Sequence, residues 1–219
     1  MPRSAAAVGL LVVAACLVAC ASPASSTRNS LDRVLIEREH AASAAHAASI
    51  ARLATYLRDK WGPVLLPERG IESWVTASEW ALTVAACLES DGVTGVLAAE
   101  GGERLDFSNV RTTEPRELFA IDVATFACQS QYPVLSWFER AVGEVEAPWA
   151  HDYTRTAVTP CLLAAGYLVV PLPEAEQFTA TWRTGEQFDP YALVGGSMAE
   201  RARAATTCPS ADVVLGALP

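Results

Sequence analysis

Cys87-Leu88-Glu89-Ser90-Asp91-Gly92 and Cys161-Leu162-Leu163-Ala164-Ala165-Gly166 are the two stretches on which the fold turns. Each brings Cys-Leu to the end of an apolar, helix-type run and stops it with Gly, the residue that best tolerates left-handed backbone at a helix end. β-type residues follow in both, Val93 onward and Tyr167-Leu168-Val169-Val170. Sliding the chain so that Cys87 falls on Cys161 also puts Val96 on Val170 and brings Trp74 within one place of Trp149. Self-similarity of this kind predicts a repeated supersecondary unit. The next cysteines are Cys128 and Cys208, and the longer second copy has room for extra residues around Phe178–Gly196.

Around the first block the expected unit is helix, hairpin, helix. Residues 73–92 read as a helix with a Thr76/Glu79 capping box, Ser73 being a competing cap, and with Trp74, Ala77, Leu82, Ala85 and Leu88 on its buried face. Val93–Ala98 and Glu103–Ser108 flank Gly101-Gly102, a hairpin pattern. Thr113 is then placed to cap a helix from Glu114 to Gln131, closed by Tyr132-Pro133. Upstream, Leu31–Lys60 is helical in pattern, with Ile50, Leu53, Leu57 and Trp61 in one stripe and Gly62-Pro63 as the stop. Its first half offers mostly Ala to the stripe, which suits close packing or a stalk. The expected fold is α+β and helix-rich: two loosely repeated helix–β-hairpin–helix units, each closed by a disulfide, preceded by a long N-terminal helix. The boundaries are 1–19, 20–30, 31–62, 63–133 and 134–219.

The amino terminus points to a compartment. Arg3 gives a short positive region, and Ala5–Ala19 is an apolar, charge-free stretch of 15 residues. That is signal-peptide length, short of the ~20 residues of a spanning helix. It ends in Leu17-Val18-Ala19-Cys20, a lipobox pattern: an aliphatic residue, two small ones, then a thiol positioned to take a diacylglyceryl group. Val13-Ala14-Ala15-Cys16 fits the pattern more loosely. Two acyl chains such as palmitate would anchor stably where one would not. Residues 21–30 are small and polar and read as a tether.

An exported chain with four further cysteines reads as disulfide-bonded, and four allow three pairings. The repeat selects Cys87–Cys128 and Cys161–Cys208. Metal ligation calls for closer Cys spacing or neighbouring His, so no metal is expected.

The chain has 219 residues, 51% of them hydrophobic and 19% charged, with a mean hydropathy of +0.21, which excludes wholesale disorder. Its net charge of −9 argues against a nucleic-acid-coating surface.

Catalytic signals are sparse. His40 and His46 lie six apart, about 240° around a helix, and read as solvated helix residues. His151 beside Asp152 is the one imidazole with a potential orienting carboxylate. Gly195-Gly196-Ser197-Met198-Ala199 resembles a nucleophile elbow, but no His follows it, and Ser197 with Glu200 reads as a cap for a helix over Met198–Thr207. Glu144 and Glu146 lie in a run that reads as a solvated face. No phosphate loop, dinucleotide fingerprint, zinc-protease or EF-hand pattern is present, so no catalytic residue and no cofactor is assigned. The remaining candidate is aromatic: Trp149, Tyr153, Tyr167, Phe178, Trp182, Phe188 and Tyr191 crowd into 43 residues. With His151, the residues Trp149, Tyr153, Tyr167, Trp182 and Tyr191 form a possible ligand face.

The lipobox and the two Cys-Leu-x-x-x-Gly blocks, with Cys128-x-x-x-Tyr132-Pro133 and Cys208-Pro209, resemble a broad group of actinobacterial lipoproteins over residues 73–209. The resemblance carries no activity onto any residue. The Arg-rich, Lys-poor, Ala-rich composition agrees with a high-GC bacterial source. The expected role is that of a lipid-anchored, non-catalytic binding or interaction domain on the outer face of the cytoplasmic membrane, its partner a surface protein or cell-wall component, with no nucleic acid. Two other classes stay open: an enzyme acting on cell-wall material around His151 and the aromatic stretch, and an accessory subunit of a membrane transporter or sensor.

Overall fold

The structure is a computed structural model, and it describes residues 23–216. The apolar stretch read as a signal peptide, with Cys16 and Cys20, lies outside the described residues. Helix α1 runs from Pro23 to Trp61 without a break, a rod of about 60 Å at 1.5 Å per residue. It therefore starts inside the stretch read as a tether. Pro23 suits a first helical turn, where its missing N–H costs nothing.

The buried positions of α1 climb in near-regular steps of four: Val34, Ala42, His46, Ala54 and Leu57 are buried, with Arg38 and Ile50 partly so. A step of four overshoots a turn by about 40°, so the buried stripe winds around the helix by about 200° between Val34 and Ala54. One helix thus meets different neighbours on different sides. Its upstream half packs on α4 (Glu139–Tyr153), the most extensive helix–helix contact in the molecule, where fully buried Ala42 allows close approach. Its downstream half packs on α3 (Pro115–Gln131) through Ala54, Leu57 and Phe126. Trp61 Nε1 and Lys60 Nζ both donate to Asp122 of α3, each at 2.7 Å.

The first unit has the expected order. Helix α2 (Ala77–Ser90) starts at the Thr76/Glu79 box, where the Thr76 hydroxyl donates to the Glu79 carboxylate at 2.6 Å and the Thr76 N–H at 3.3 Å. These two bonds hold the Glu79 carboxyl below its ordinary range. The buried face is Trp80, Ala81, Val84 and Leu88, so the predicted face is rotated, and Leu82 stands 63% exposed. The hairpin causes the rotation. Strands β1 (Leu97–Ala98) and β2 (Leu105–Asp106) pair antiparallel, and the Gly102 carbonyl accepts the Ala81 N–H at 2.8 Å. Gly102 has φ +75°, and a Cβ there would stand 1.8 Å from the Ser78 carbonyl oxygen, so only Gly permits this contact. At α3 the cap is Glu114 rather than Thr113, and the Thr112 hydroxyl accepts the Glu114 N–H at 3.1 Å.

The two Cys-Leu-x-x-x-Gly blocks end their helices with the same hydrogen bonds. Val93 N–H reaches the Leu88 carbonyl at 2.8 Å and Gly92 N–H the Glu89 carbonyl at 3.0 Å; Tyr167 and Gly166 reach Leu162 and Leu163, both at 3.0 Å. This is the six-to-one and five-to-two pattern of a glycine-terminated helix. Both disulfides are the expected ones, Cys87–Cys128 and Cys161–Cys208.

The likeness stops there. Residues 167–174 form no strand and the second hairpin is missing among the described residues; short helices α6 (Ala175–Thr181), α7 (Met198–Thr207) and α8 (Ala211–Leu215) follow. The helix that carries Cys161 also differs. From α4 it passes through a π-helical turn at Thr154–Val158 into α5 (Thr159–Ala164). Pro160 would press its ring on the carbonyl four residues back, and widening the preceding turn relieves that clash.

Non-reducing peptide mapping is expected to return the 87–128 and 161–208 links alone. Replacing Cys161 and Cys208 together by Ala should cost about 4 kcal/mol in urea unfolding, the entropy of a loop of this length. Crossed pairs in the map would contradict the described fold.

Candidate functional site

The aromatic stretch of the second half packs largely into the core rather than along one shared groove. Trp182 and Tyr191 are 6% and 8% exposed, and Trp149, Tyr153, Tyr167 and His151 are half-buried. Trp149 stacks on Tyr153 with ring centroids 4.9 Å apart, and its Nε1 donates to the Ser30 hydroxyl of α1 at 3.2 Å. Phe178 stacks on Trp182 at 5.3 Å and takes His151 edge-on at 5.3 Å. Tyr191 donates its hydroxyl to the Cys208 carbonyl at 2.5 Å beside the second disulfide. Burial pushes the phenols of Tyr153 and Tyr191 up. These rings fill two core clusters, one against α1 and α8 and one around Val158, Leu162 and Ala204.

His151 donates its Nε2 hydrogen to the Pro173 carbonyl at 3.1 Å. Asp152 does not orient it; the Asp152 carboxylate pairs with Arg155 one turn on. Adjacent residues on a helix point about 100° apart, whereas residues three apart share a face. Ser197 accepts the Glu200 N–H at 3.3 Å and caps α7.

The charged centre of the molecule is a residue the sequence placed on the surface. Glu146, on α4, is fully buried. Arg183 grips it with two bonds, Nε to Oε2 at 2.6 Å and Nη2 to Oε1 at 3.1 Å. Trp182 Nε1 donates to Oε2 at 3.1 Å, and Arg38 Nη1 reaches Oε1 at 3.4 Å. Arg38 Nη1 also donates to the Leu215 carbonyl of α8 at 3.3 Å. Arg183 is the single non-glycine with a left-handed φ, +58°, among the described residues. Its N–H donates to Gln187 Oε1 at 2.9 Å, and Gln187 Nε2 donates to Asp212 Oδ2 at 2.6 Å. Two guanidinium groups thus face two carboxylates. Burial holds the Asp212 carboxyl above its ordinary range, against the opposing pull of Arg183. With four donors on its oxygens, Glu146 is engaged as a structural acceptor rather than aimed at solvent. Glu144, two residues earlier, is exposed and pairs with Arg140 at 3.3 Å, as a solvated-face residue should.

Beside this cluster a cleft of about 520 Å³ opens between α4 and α6, over Gly143, Glu144, Thr179, Trp182, Arg183 and Thr184. Among the described residues one set of three metal-type donors lies close together, Cys87, Asp91 and Cys128, within 4.8 Å of one another. Both sulfurs are in the disulfide, and the carboxylate pairs with Arg69 at 2.9 Å.

A second aromatic group gathers where α1, α2 and the 3-10 turn Leu135–Phe138 meet. His46, read from sequence as solvated, is 7% exposed there, and its Nε2 hydrogen goes to the Ser130 carbonyl at 3.0 Å. Trp74 and Phe138 meet it edge-on at 6.4 and 5.9 Å, and Trp80 meets Trp137 edge-on at 5.1 Å. The contributing residues lie between positions 46 and 138, so no local window of sequence shows them together.

No family model matches the chain, and no curated protein or solved structure matches it either.

Glu146→Gln leaves two arginines largely buried without a full counter-charge. It should cost about 3 kcal/mol, a Tm drop of roughly 6–12 °C for a domain of this size. Glu144→Gln should stay within about 0.5 kcal/mol. Equal effects would mean that Glu146 is not the buried partner.

Asp212 gives the opposite sign. A carboxyl whose folded value is raised binds its proton more tightly in the folded state, so the ionised form costs stability. That cost is complete above the folded value and gone below the ordinary 3.8. Asp212→Asn is therefore expected to raise Tm at neutral pH, the gain fading as pH falls towards 3.8. A gain independent of pH would sever it from the charge.

Proposed function

We propose that the protein is a lipid-anchored, extracytoplasmic binding domain, carried on the outer face of the cytoplasmic membrane and lacking chemistry of its own. The carrying observation is Leu17-Val18-Ala19-Cys20 at the end of a charge-free apolar stretch of 15 residues. Its two disulfides support the same reading, since such bonds persist in oxidising compartments. None of the described helices is long and apolar enough to cross a membrane.

Binding is preferred to catalysis because the groups with catalytic potential are already engaged. His151 bonds to a backbone carbonyl, Asp152 to Arg155, and Glu146 to two arginines and an indole. The two Cys-Leu-x-x-x-Gly blocks are read as what remains of a duplicated unit whose second hairpin has been replaced by α6 and the loops around it.

The anchor is tested by fractionation. Cys20→Ser should move the protein from the membrane to the soluble fraction, whereas Cys16→Ser should leave it on the membrane. If Cys20→Ser stays bound, lipidation at Cys20 fails as the means of attachment.

A further inference from the structure

Trp74, in the segment before α2, and Leu135, in the 3-10 turn, line a groove of about 340 Å³ together with Leu35, Ile36, Arg38 and Glu39 of α1. Four of these six residues are apolar, and Arg38 is the one cation. Its side chain is 15% exposed and reaches inwards to the buried Glu146. Both bonds that it makes among the described residues leave from Nη1, to Glu146 Oε1 at 3.4 Å and to the Leu215 carbonyl at 3.3 Å. Its Nε and Nη2 have no acceptor there. Neither nitrogen is sealed from water, since Thr125 Oγ1 is the one unbonded side-chain atom so buried among the described residues. Arg38 therefore offers a free N–H edge to the groove that it lines. Its charge is only partly matched. Glu146 is already gripped by Arg183 at 2.6 and 3.1 Å, and Asp212, the other carboxylate of the cluster, sits by Gln187 and Arg183. Arg38 is thus the second cation on a carboxylate that a first has neutralised.

We propose that this groove binds a small monocarboxylate with an apolar body, the carboxylate on the Nε/Nη2 edge of Arg38 and the body along Leu35, Ile36, Trp74 and Leu135. That edge of a guanidinium carries two parallel N–H bonds at the spacing of carboxylate oxygens. It is the same edge with which Arg183 holds Glu146. A charge-assisted pair of this kind strengthens where apolar side chains lower the local dielectric. The lining then selects among ligands. A phosphate or phosphonate carries up to two negative charges, which Glu39 at the rim and the chain's net −9 oppose more strongly than the single charge of a carboxylate. An alcohol leaves the guanidinium edge without an ion partner, and an ammonium meets its like charge. The size agrees: the groove is roughly twice a 150 Å³ cavity that takes benzene, room for a body of roughly six to ten carbons.

This ligand class rests on the binding-domain reading and deepens it; its failure would leave membrane fractionation of Cys20→Ser unchanged, so the two fail separately. The test is calorimetric titration of the full chain in a non-ionic detergent with sodium 3-phenylpropionate, against a blank of detergent alone. Saturable binding is expected, with 3-phenylpropan-1-ol, acetate and 2-phenylethylphosphonate each at least tenfold weaker. Arg38→Lys keeps a charge beside Glu146 but has no two-pronged edge, and it should weaken 3-phenylpropionate at least tenfold. Ile36→Glu, at a position 56% exposed, sets a second carboxylate over the groove and should weaken it as much, with an unchanged circular dichroism spectrum. Absence of saturable binding overturns the proposal. So does equal binding of the alcohol, which would make this an ordinary apolar groove, or of acetate, which would make it an unselective anion contact. Equal or tighter binding of the phosphonate removes the selection for a carboxylate. Unchanged binding by either variant places the ligand elsewhere and overturns the site.

Discussion

A carboxylate cannot remain charged inside a protein without partners, and Glu146 sets the terms on which the second half of this molecule is assembled. Its partners come from two places: Arg38 from α1, and Trp182 and Arg183 from the turn after α6. The two-pronged Arg183 contact fixes a planar orientation that apolar packing alone would leave free to slide. The left-handed backbone at Arg183 is part of the same arrangement, held by the bond from its N–H to Gln187 and from Gln187 to Asp212 of α8. Four elements are thereby placed by one oxygen pair, and Trp182, which bonds it, is itself buried in a core cluster with Phe178.

What the sequence disclosed was local. The capping box at Thr76, the Ser197 cap, the glycine stops at Gly92 and Gly166, and the Gly101-Gly102 turn each depend on neighbouring residues, and each is found where its chemistry required. The disulfide pairing was legible because the two blocks align. The buried face of α2 was not: periodicity put Leu82 inside, whereas the structure turns Trp80 inwards, on the side where the Ala81 N–H meets the Gly102 carbonyl from outside the helix. Glu146 was hidden for a related reason. Glu144 and Glu146 flank the same Val145, and nothing local tells which of the two glutamates turns inwards when the opposing cations stand at positions 38 and 183. His46 was misjudged likewise, since its neighbours on α1 are alanines and its aromatic partners lie downstream.

Helix α1 is the common wall of these separate interiors. Because its buried stripe winds rather than running straight, it offers Val34 to the cluster around Trp182, Ala42 and His46 to the junction, and Ala54 and Leu57 to α3. The alanines that weaken its amphipathic signal serve this purpose, since large side chains would hold α4 away. The long rod and the two disulfide-closed halves are therefore one mechanical object: the disulfides fasten each half internally, and α1 fastens the halves to each other.

One contact described above has a bearing on the life history of the chain. Arg38 donates to Leu215, 177 positions later, and to Glu146, 108 positions later. Closing loops of that size is slow, and contacts of that range make poor early steps in folding. The first helix can meet α3 and α4 earlier, but its contact with α8 forms only when nearly all of the polypeptide has been made. The order in which residues emerge thus leaves the charge cluster incomplete until α8, the final described helix, arrives with the Leu215 carbonyl and Asp212.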